Sequence, residues 1–229
     1  MQTSRSTLLS DVDVTLPTDL CEIMGRNQSD KGAVCITQSP HNYTTLYAKL
    51  FSPRRHMNLR IFEMGLGTNN VNIPSNMGWG GRPGASLYGW REYFPNASIH
   101  GGDIDRDILF TDDRIDTYYC DQTNPVAIAQ MWSDPRLSEK FDIMLDDGLH
   151  TYDANVCLLE NSIHKLAVNG IYIIEDIALN NFHLFDAKIS EWRVRYPAYL
   201  FELVEIPPAC YKHDNNLLVV RYPDCPETH

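Results

Sequence analysis

Phe141-Asp-Ile-Met-Leu-Asp-Asp-Gly-Leu-His150, followed further along the chain by Ile173-Ile-Glu-Asp176, is a pair of short apolar runs that each end in acid. Apolar runs of this length, without polar alternation, read as strands covered on both faces, which is the habit of a parallel sheet. Open α/β sheets bind their ligands at the carboxyl ends of such strands. Asp146, Asp147, His150, Glu175 and Asp176 all arrive there. Three carboxylates and a histidine delivered by two consecutive strands suggest a divalent-metal site with a base beside it. The plainer alternative is a set of strand-end acids that cap helices or pair with Lys and Arg.

Outward from this stretch, strands and helices alternate. Strands are expected over Leu59–Met64, Ala97–Asp103, Ile115–Cys120, Phe141–Leu145, Ile171–Ile174, Leu200–Ile206 and Asn216–Arg221. Helical spacing runs from about 41 to Phe51 and stops at Pro53. Further helices are expected over Ser86–Phe94 with Ser86 as N-cap, Pro125–Trp132, Tyr152–Val168 closed by Asn169-Gly170, and Leu184–Tyr196. Repeated β-α-β units imply an α/β fold with a doubly wound, mostly parallel seven-stranded sheet, an antiparallel late strand and helices on both faces. Residues 1–24 form a polar N-terminal segment expected to be partly disordered, and 25–229 one domain: a helical cap at 25–57, a cofactor and metal core at 58–180, and a C-terminal helix and strand pair at 181–229.

The formal net charge of −11, from 19 Lys plus Arg against 30 Asp plus Glu, argues against a nucleic-acid backbone or an anionic membrane as partner. Six cysteines, at 21, 35, 120, 157, 210 and 225, form no C-x-x-C pair, which points to reduced thiols in a cytoplasmic setting. Neither a signal peptide nor a membrane-spanning segment is expected. A chain of 229 residues fits one domain and equally one module of a longer polypeptide, with a homo-oligomer also open.

Glu63-Met-Gly65-Leu-Gly67-Thr-Asn69 directly follows the first strand. Glycine there tolerates positive φ and lets backbone approach a ligand. A dinucleotide fingerprint would place a third glycine where Asn70 stands, with a helix N-terminus close behind for the pyrophosphate. No helix follows until Ser86, so a nicotinamide cofactor is disfavoured. Glu63, two residues before the first glycine, suits a cationic or amino-bearing group such as that of S-adenosylmethionine. Asp103 ends the second strand where a ribose diol is commonly gripped. The loop 72–85, with Trp79 and Arg82, reads as an ordered insertion that either lines the acceptor site or serves as a structural lid.

Together these features resemble class I S-adenosylmethionine-dependent methyltransferases. The closer likeness is to metal-dependent macrolide-sugar O-methyltransferases and their cephalosporin-pathway relatives. The matching segments are Asp30-Lys-Gly32, His41-Asn-Tyr-Thr44 with Tyr47, Glu63-x-Gly65-x-Gly67, Trp90-Arg-Glu-Tyr-Phe-Pro95, Gly102-Asp-Ile-Asp105, Asp121-Gln122, Asp146-Asp-Gly-x-His150 and Ile174-Glu-Asp176. The resemblance implies a Rossmann-like fold and S-adenosylmethionine as cofactor. It implies Asp147, Glu175 and Asp176 as ligands of Mg2+ or Mn2+, with His150 as general base acting beside Asp147. Glu63, Gly65, Gly67 and Asp103 would hold the methionine and ribose portions, Asp121 and Gln122 would lie near the adenine, and Asp146 would bond beside the cofactor. Tyr43 would close over it from the N-terminal segment. Two departures, the loop 72–85 and Leu149 before His150, bear on the acceptor pocket.

The chemistry explains why a metal belongs with the base. A sugar hydroxyl ionises near ~15.7 and free histidine near ~6.5, a gap of about nine units or roughly 12 kcal/mol. A divalent cation stabilises the developing alkoxide and orients a vicinal diol, and an all-carboxylate site without Cys matches magnesium or manganese better than zinc. The activity implied is O-methylation of a sugar hydroxyl, free, nucleotide-linked or in a glycan. A catechol-like diol as acceptor, or a non-catalytic cofactor-binding protein, are the alternatives, and Asp146 competes with His150 as the base.

Overall fold

The computed structural model describes residues 7–10, 12–32, 41–207 and 214–223. Cys35, Cys210 and Cys225 lie outside them. The apolar runs form strands as their composition requires: β1 (Arg60–Met64), β2 (Ser98–Asp103), β3 (Thr111–Asp112), β4 (Ile115–Tyr119), β5 (Phe141–Asp146), β6 (Leu166–Ile174), β7 (Leu200–Glu205) and β8 (Asn216–Arg221). They make one sheet in the order β3-β4-β2-β1-β5-β6-β8-β7. The strands β4, β2, β1, β5 and β6 are parallel, and β8 runs antiparallel to β6 and β7. The chain therefore winds outward from β1 in both directions, and the reversal leaves a crevice between β1 and β5.

Alternation along each strand sorts side chains to two faces. Ile61, Ile99, Ile143, Leu145, Ile171, Ile173 and Val219 pack against α1 (Asp19–Arg26), α2 (Tyr43–Phe51) and α3 (Ala85–Tyr93). Their neighbours Phe62, Met64, Met144, Tyr172, Ile174, Leu218 and Val220 pack against α4 (Pro125–Trp132), α5 (Tyr152–Ser162) and α6 (Phe182–Arg195). The same parity fixes the acids. Glu63 follows Ile61 to the α1–α3 face, Glu175 follows Ile171 and Ile173 there, and Asp146 follows Met144 to the α4–α6 face.

Several expectations need correcting. Among the described residues the sheet has eight strands rather than seven, because Thr111 and Asp112, both exposed, add a two-residue antiparallel edge that has no hydrophobic period to announce it. The helix expected to reach Val168 stops at Ser162. A 3-10 turn follows, and β6 begins at Leu166, whose fully buried side chain anchors it. Asn169 (φ 61°) and Gly170 therefore sit inside β6, where the pairing register with β5 shifts, and do not cap the helix. A Cβ on Gly170 would lie 2.8 Å from Leu166 Cδ1. Helix α3 is entered from Gly84, at φ 74°, and Ser86 lies within its first turn. The segment before 41 also contains α1, whose N-cap Thr18 accepts a hydrogen bond from the Cys21 backbone N–H.

Candidate active site

At the crevice the carboxyl ends of β1, β2, β4 and β5 surround a cavity of about 280 Å³. Its floor is the turn after β1. Gly65 has φ 93°, and a Cβ there would lie 2.0 Å from the backbone oxygen of Asp147, so this glycine is demanded by the neighbouring chain as well as by the turn. Asp147 N donates to Met64 O at 2.8 Å, and Gly65 N donates to Gly102 O at 2.8 Å, which ties the three strand ends together. Over Gly67 packs the thioether of Met77, which also fills the space beside Gly81. Met77 N donates to Thr68 O at 2.8 Å, and Ser75 Oγ donates to Leu149 O at 2.9 Å. The loop 72–85 is thus an ordered wall, contributing Ile73, Pro74, Ser75, Met77 and Arg82 to the cavity.

The two aspartates that close β5 part company. Asp146 is fully buried and accepts from Gln122 Nε2 at 3.1 Å and Asn155 Nδ2 at 3.0 Å, and burial pushes its pKa up to about 6. Asp147 turns back toward the α1–α3 face and the cavity. Its Oδ2 accepts from Lys31 Nζ at 2.5 Å and its Oδ1 lies 3.2 Å from His150 Nε2. Although burial works the other way, the Lys31 charge and the His150 hydrogen bond hold Asp147 well below the ordinary carboxylate range.

Glu175 and Asp176 also separate. Glu175, 1% exposed, accepts from Tyr47 OH at 2.7 Å and from Lys31 Nζ at 2.6 Å. Burial raises its pKa well above the usual value. Asp176 takes a left-handed backbone, φ 55°, which swings its side chain off the strand path. Its Oδ1 accepts from Tyr43 OH at 2.7 Å and lies 3.2 Å from His41 Nε2, while its Oδ2 lies 3.2 Å from His150 Nε2. Burial disfavours a charged His150, but its hydrogen bond to Asp147 and the charges of Asp176 and Asp147 outweigh this and raise its pKa to about 10.

The remaining expected residues fall into two groups. Asp103, Asp121 and Gln122 line the cavity with Gly65 and Gly67. Asp103 braces the β1 turn, accepting from Leu66 N at 2.7 Å and Asp105 N at 2.8 Å. Gln122 clamps two segments, donating to Asp146 and accepting from Leu149 N at 2.8 Å. Glu63, Asp146 and Tyr43 do not line the cavity. Glu63 is fully buried and accepts from Ser86 Oγ at 2.6 Å and from the Trp90 indole N–H. Beyond the residues expected to bind metal or cofactor, Lys31, Tyr47 and His41 each touch an acid of the cluster. The signal available for them was their place in the segments Asp30-Lys-Gly32 and His41-Asn-Tyr-Thr44 with Tyr47.

Asp147, His150 and Asp176 each offer a ligand atom within 4.8 Å of the others, and so do His41, Asp176 and Asp214. Asp147 and His150 are partly open to the cavity. The carboxylate oxygens of Asp147 and Asp176 suit a divalent cation of the magnesium or manganese type, with the His150 imidazole beside them as a base. The glycine floor, with an acid at the end of β2 and an amide after β4, suits a nucleoside-bearing cofactor at a strand switch point. Among the described residues no helix is long and apolar enough to cross a membrane.

No protein-family model matches the chain. It is 25% identical over 180 residues to the 8-demethyl-8-alpha-L-rhamnosyl tetracenomycin-C 2'-O-methyltransferase of Streptomyces olivaceus, a match covering 79% of this chain and 43% of the relative. To the 3'-O-methyltransferase acting on 8-demethyl-8-(2-methoxy-alpha-L-rhamnosyl)-tetracenomycin-C, from the same organism, it is 30% identical over 164 residues, covering 70% and 37%. The chain thus spans about two fifths of the length of these curated relatives. Among solved structures, the MycE methyltransferase of mycinamycin biosynthesis in complex with Mg and SAH superposes with a TM-score of 0.64 at 21% identity, over 91% of this chain and 55% of that one. The resemblance read from the sequence thus holds: the chain is related in sequence to antibiotic-sugar O-methyltransferases and is built on the Rossmann-like methyltransferase fold.

Proposed function

We propose that the chain is, or is the catalytic module of, an S-adenosylmethionine-dependent O-methyltransferase that acts on a sugar hydroxyl of a small molecule with a divalent cation, Mg2+ or Mn2+. The observation that carries this reading is the convergence of Asp147, His150 and Asp176 beside the cavity at the β1–β5 crevice, in a chain whose relatives methylate rhamnosyl hydroxyls. Gly65, Gly67, Asp103, Asp121 and Gln122 line the cofactor side. Glu63 and Asp146 brace it from behind, and Tyr43 orients Asp176. A reducing, cytoplasmic setting is part of the reading, supported by the free thiols of Cys21, Cys120 and Cys157.

When bound, the cation supplies charge stabilisation to the developing alkoxide and chelates neighbouring hydroxyls. It would be held by Asp147 and Asp176. The base is His150 rather than Asp146, because Asp146 is sealed against Gln122 and Asn155 and does not reach the cavity. A base must be neutral before it accepts a proton. In the protein without cation the two aspartates hold His150 as imidazolium, so it works only when their charge is committed elsewhere. The protein's other contribution is to hold the hydroxyl oxygen in line with the methyl group.

The test is methyl transfer from S-adenosylmethionine to a panel of rhamnosides and other sugar diols, with Mg2+ or with a chelator. Cation-dependent transfer to at least one sugar is expected. Transfer that a chelator leaves unchanged would overturn the metal part of the reading, and transfer only to catechols would overturn the sugar part.

A further inference from the structure

Lysine is almost never fully buried unless paired, and Lys31, 2% exposed, sits among three carboxylates. Its Nζ lies 2.5 Å from Asp147 Oδ2, 2.6 Å from Glu175 Oε2 and 3.5 Å from Glu63 Oε1. An ammonium has three N–H donors, and three acids face it. Glu175 has both oxygens engaged from the α1–α3 side, one by Lys31 and one by Tyr47 OH. Asp147 Oδ1 and Asp176 Oδ2 face the other way, each 3.2 Å from His150 Nε2. Two adjoining cation positions result, and Asp147 contributes one oxygen to each.

We propose that Lys31 is a resident cation of this site: it fills the inner position, makes Glu175 its own partner rather than a metal ligand, and confines a divalent ion to the outer position at Asp147 and Asp176. Of the three carboxylates that the resemblance assigns to the metal, this keeps two. Glu175 then acts at one remove, positioning Lys31, which positions Asp147. Burying three carboxylates without a counter-charge is strongly unfavourable, so the inner position cannot be left empty. A divalent ion drawn to Asp147 must also bear the repulsion of the neighbouring ammonium. Lys31 thereby keeps metal affinity lower than four acids alone would give.

The inference rests on the metal-dependent reading above, and its test separates the two. Mn2+ is titrated calorimetrically into the metal-free full chain and its variants, with S-adenosylhomocysteine titrated alongside. Asp176→Asn should weaken Mn2+ binding about tenfold or more, while Glu175→Gln should change it by less than about threefold. Lys31→Met should tighten it about tenfold, because it removes the repulsion and frees Glu175, a direction that structural damage would not produce. The double variant Lys31→Met, Glu175→Gln should return to within about threefold of wild type. If Lys31→Met does not fold, this charge-neutral double variant decides alone, and a tenfold loss in it overturns the proposal. Glu175→Gln weakening Mn2+ as much as Asp176→Asn, or Lys31→Met without tightening, also overturns it. Wild type that binds S-adenosylhomocysteine but no Mn2+ overturns both this inference and the metal reading, and leaves the cofactor reading standing.

Discussion

Asp146 and Asp147 are neighbours in the chain, and the sheet sends them to regions with opposite ways of holding a buried acid. On the α4–α6 face, Asp146 is met by two neutral amides, Gln122 and Asn155, and burial raises its pKa to about 6. On the α1–α3 face, Asp147 meets the Lys31 ammonium and His150 and stays ionised far below the usual range. Amides satisfy a carboxyl's hydrogen bonds without cancelling its charge, so desolvation dominates. An ammonium cancels it, so the carboxylate persists where a cation-binding site needs it. The difference separates an acid that holds the fold together from one available for chemistry.

The largest test of this contrast is Asp147→Ala, which should lower kcat by about a thousandfold, or about 4 kcal/mol, while S-adenosylhomocysteine still binds. A comparable loss from Asp146→Asn at unchanged stability would erase the distinction. Next is stability on the ammonium side. Lys31→Met should lower the unfolding free energy by about 3 kcal/mol at pH 7, measured by urea denaturation, because it strands buried carboxylates. A change below about 1 kcal/mol would mean that the ammonium is not needed there.

The amide side gives a pH signature of the opposite sign to that of a carboxylate held ionised by an ion pair. The folded pKa of Asp146 lies above its unfolded value, so its ionisation opposes folding. Stability should therefore fall as pH rises from about 4 to about 6, by about 3 kcal/mol, and Asp146→Asn should remove that slope. His150 shifts upward as a base, so its contribution in the metal-free protein is fully present below about 6.5 and is lost as pH rises through about 10. Replacing it with Gln should flatten stability across that window. The smallest effect is expected at Trp79, 96% exposed on the cavity loop. Trp79→Ala should leave the unfolding free energy within about 0.5 kcal/mol, whatever it does to acceptor KM.

The strands were legible because a face covered by helices demands unbroken apolar runs. The arrival of Asp103, Asp147 and Asp176 at the cavity was legible from the strand ends, whereas Glu63, equally a strand-end acid, lies behind it. What was hidden is long-range. Lys31 is separated in sequence by 116 residues from Asp147 and by 144 from Glu175, and nothing local in Asp30-Lys-Gly32 tells a buried lysine from a solvated one. The start of β6 was hidden for a different reason: Asn169-Gly170 serves a register shift within a strand as well as it would serve a helix end. Strand parity could have sorted Asp146 from Glu63 and Glu175, since it needs only the strand positions already in hand.

The most direct test of the central claim is a calorimetric titration of S-adenosylhomocysteine into the purified metal-free chain, repeated with Mg2+. Binding at about micromolar Kd or tighter is expected. No binding in either condition would contradict the methyltransferase reading and leave the acid cluster a structural feature of the sheet.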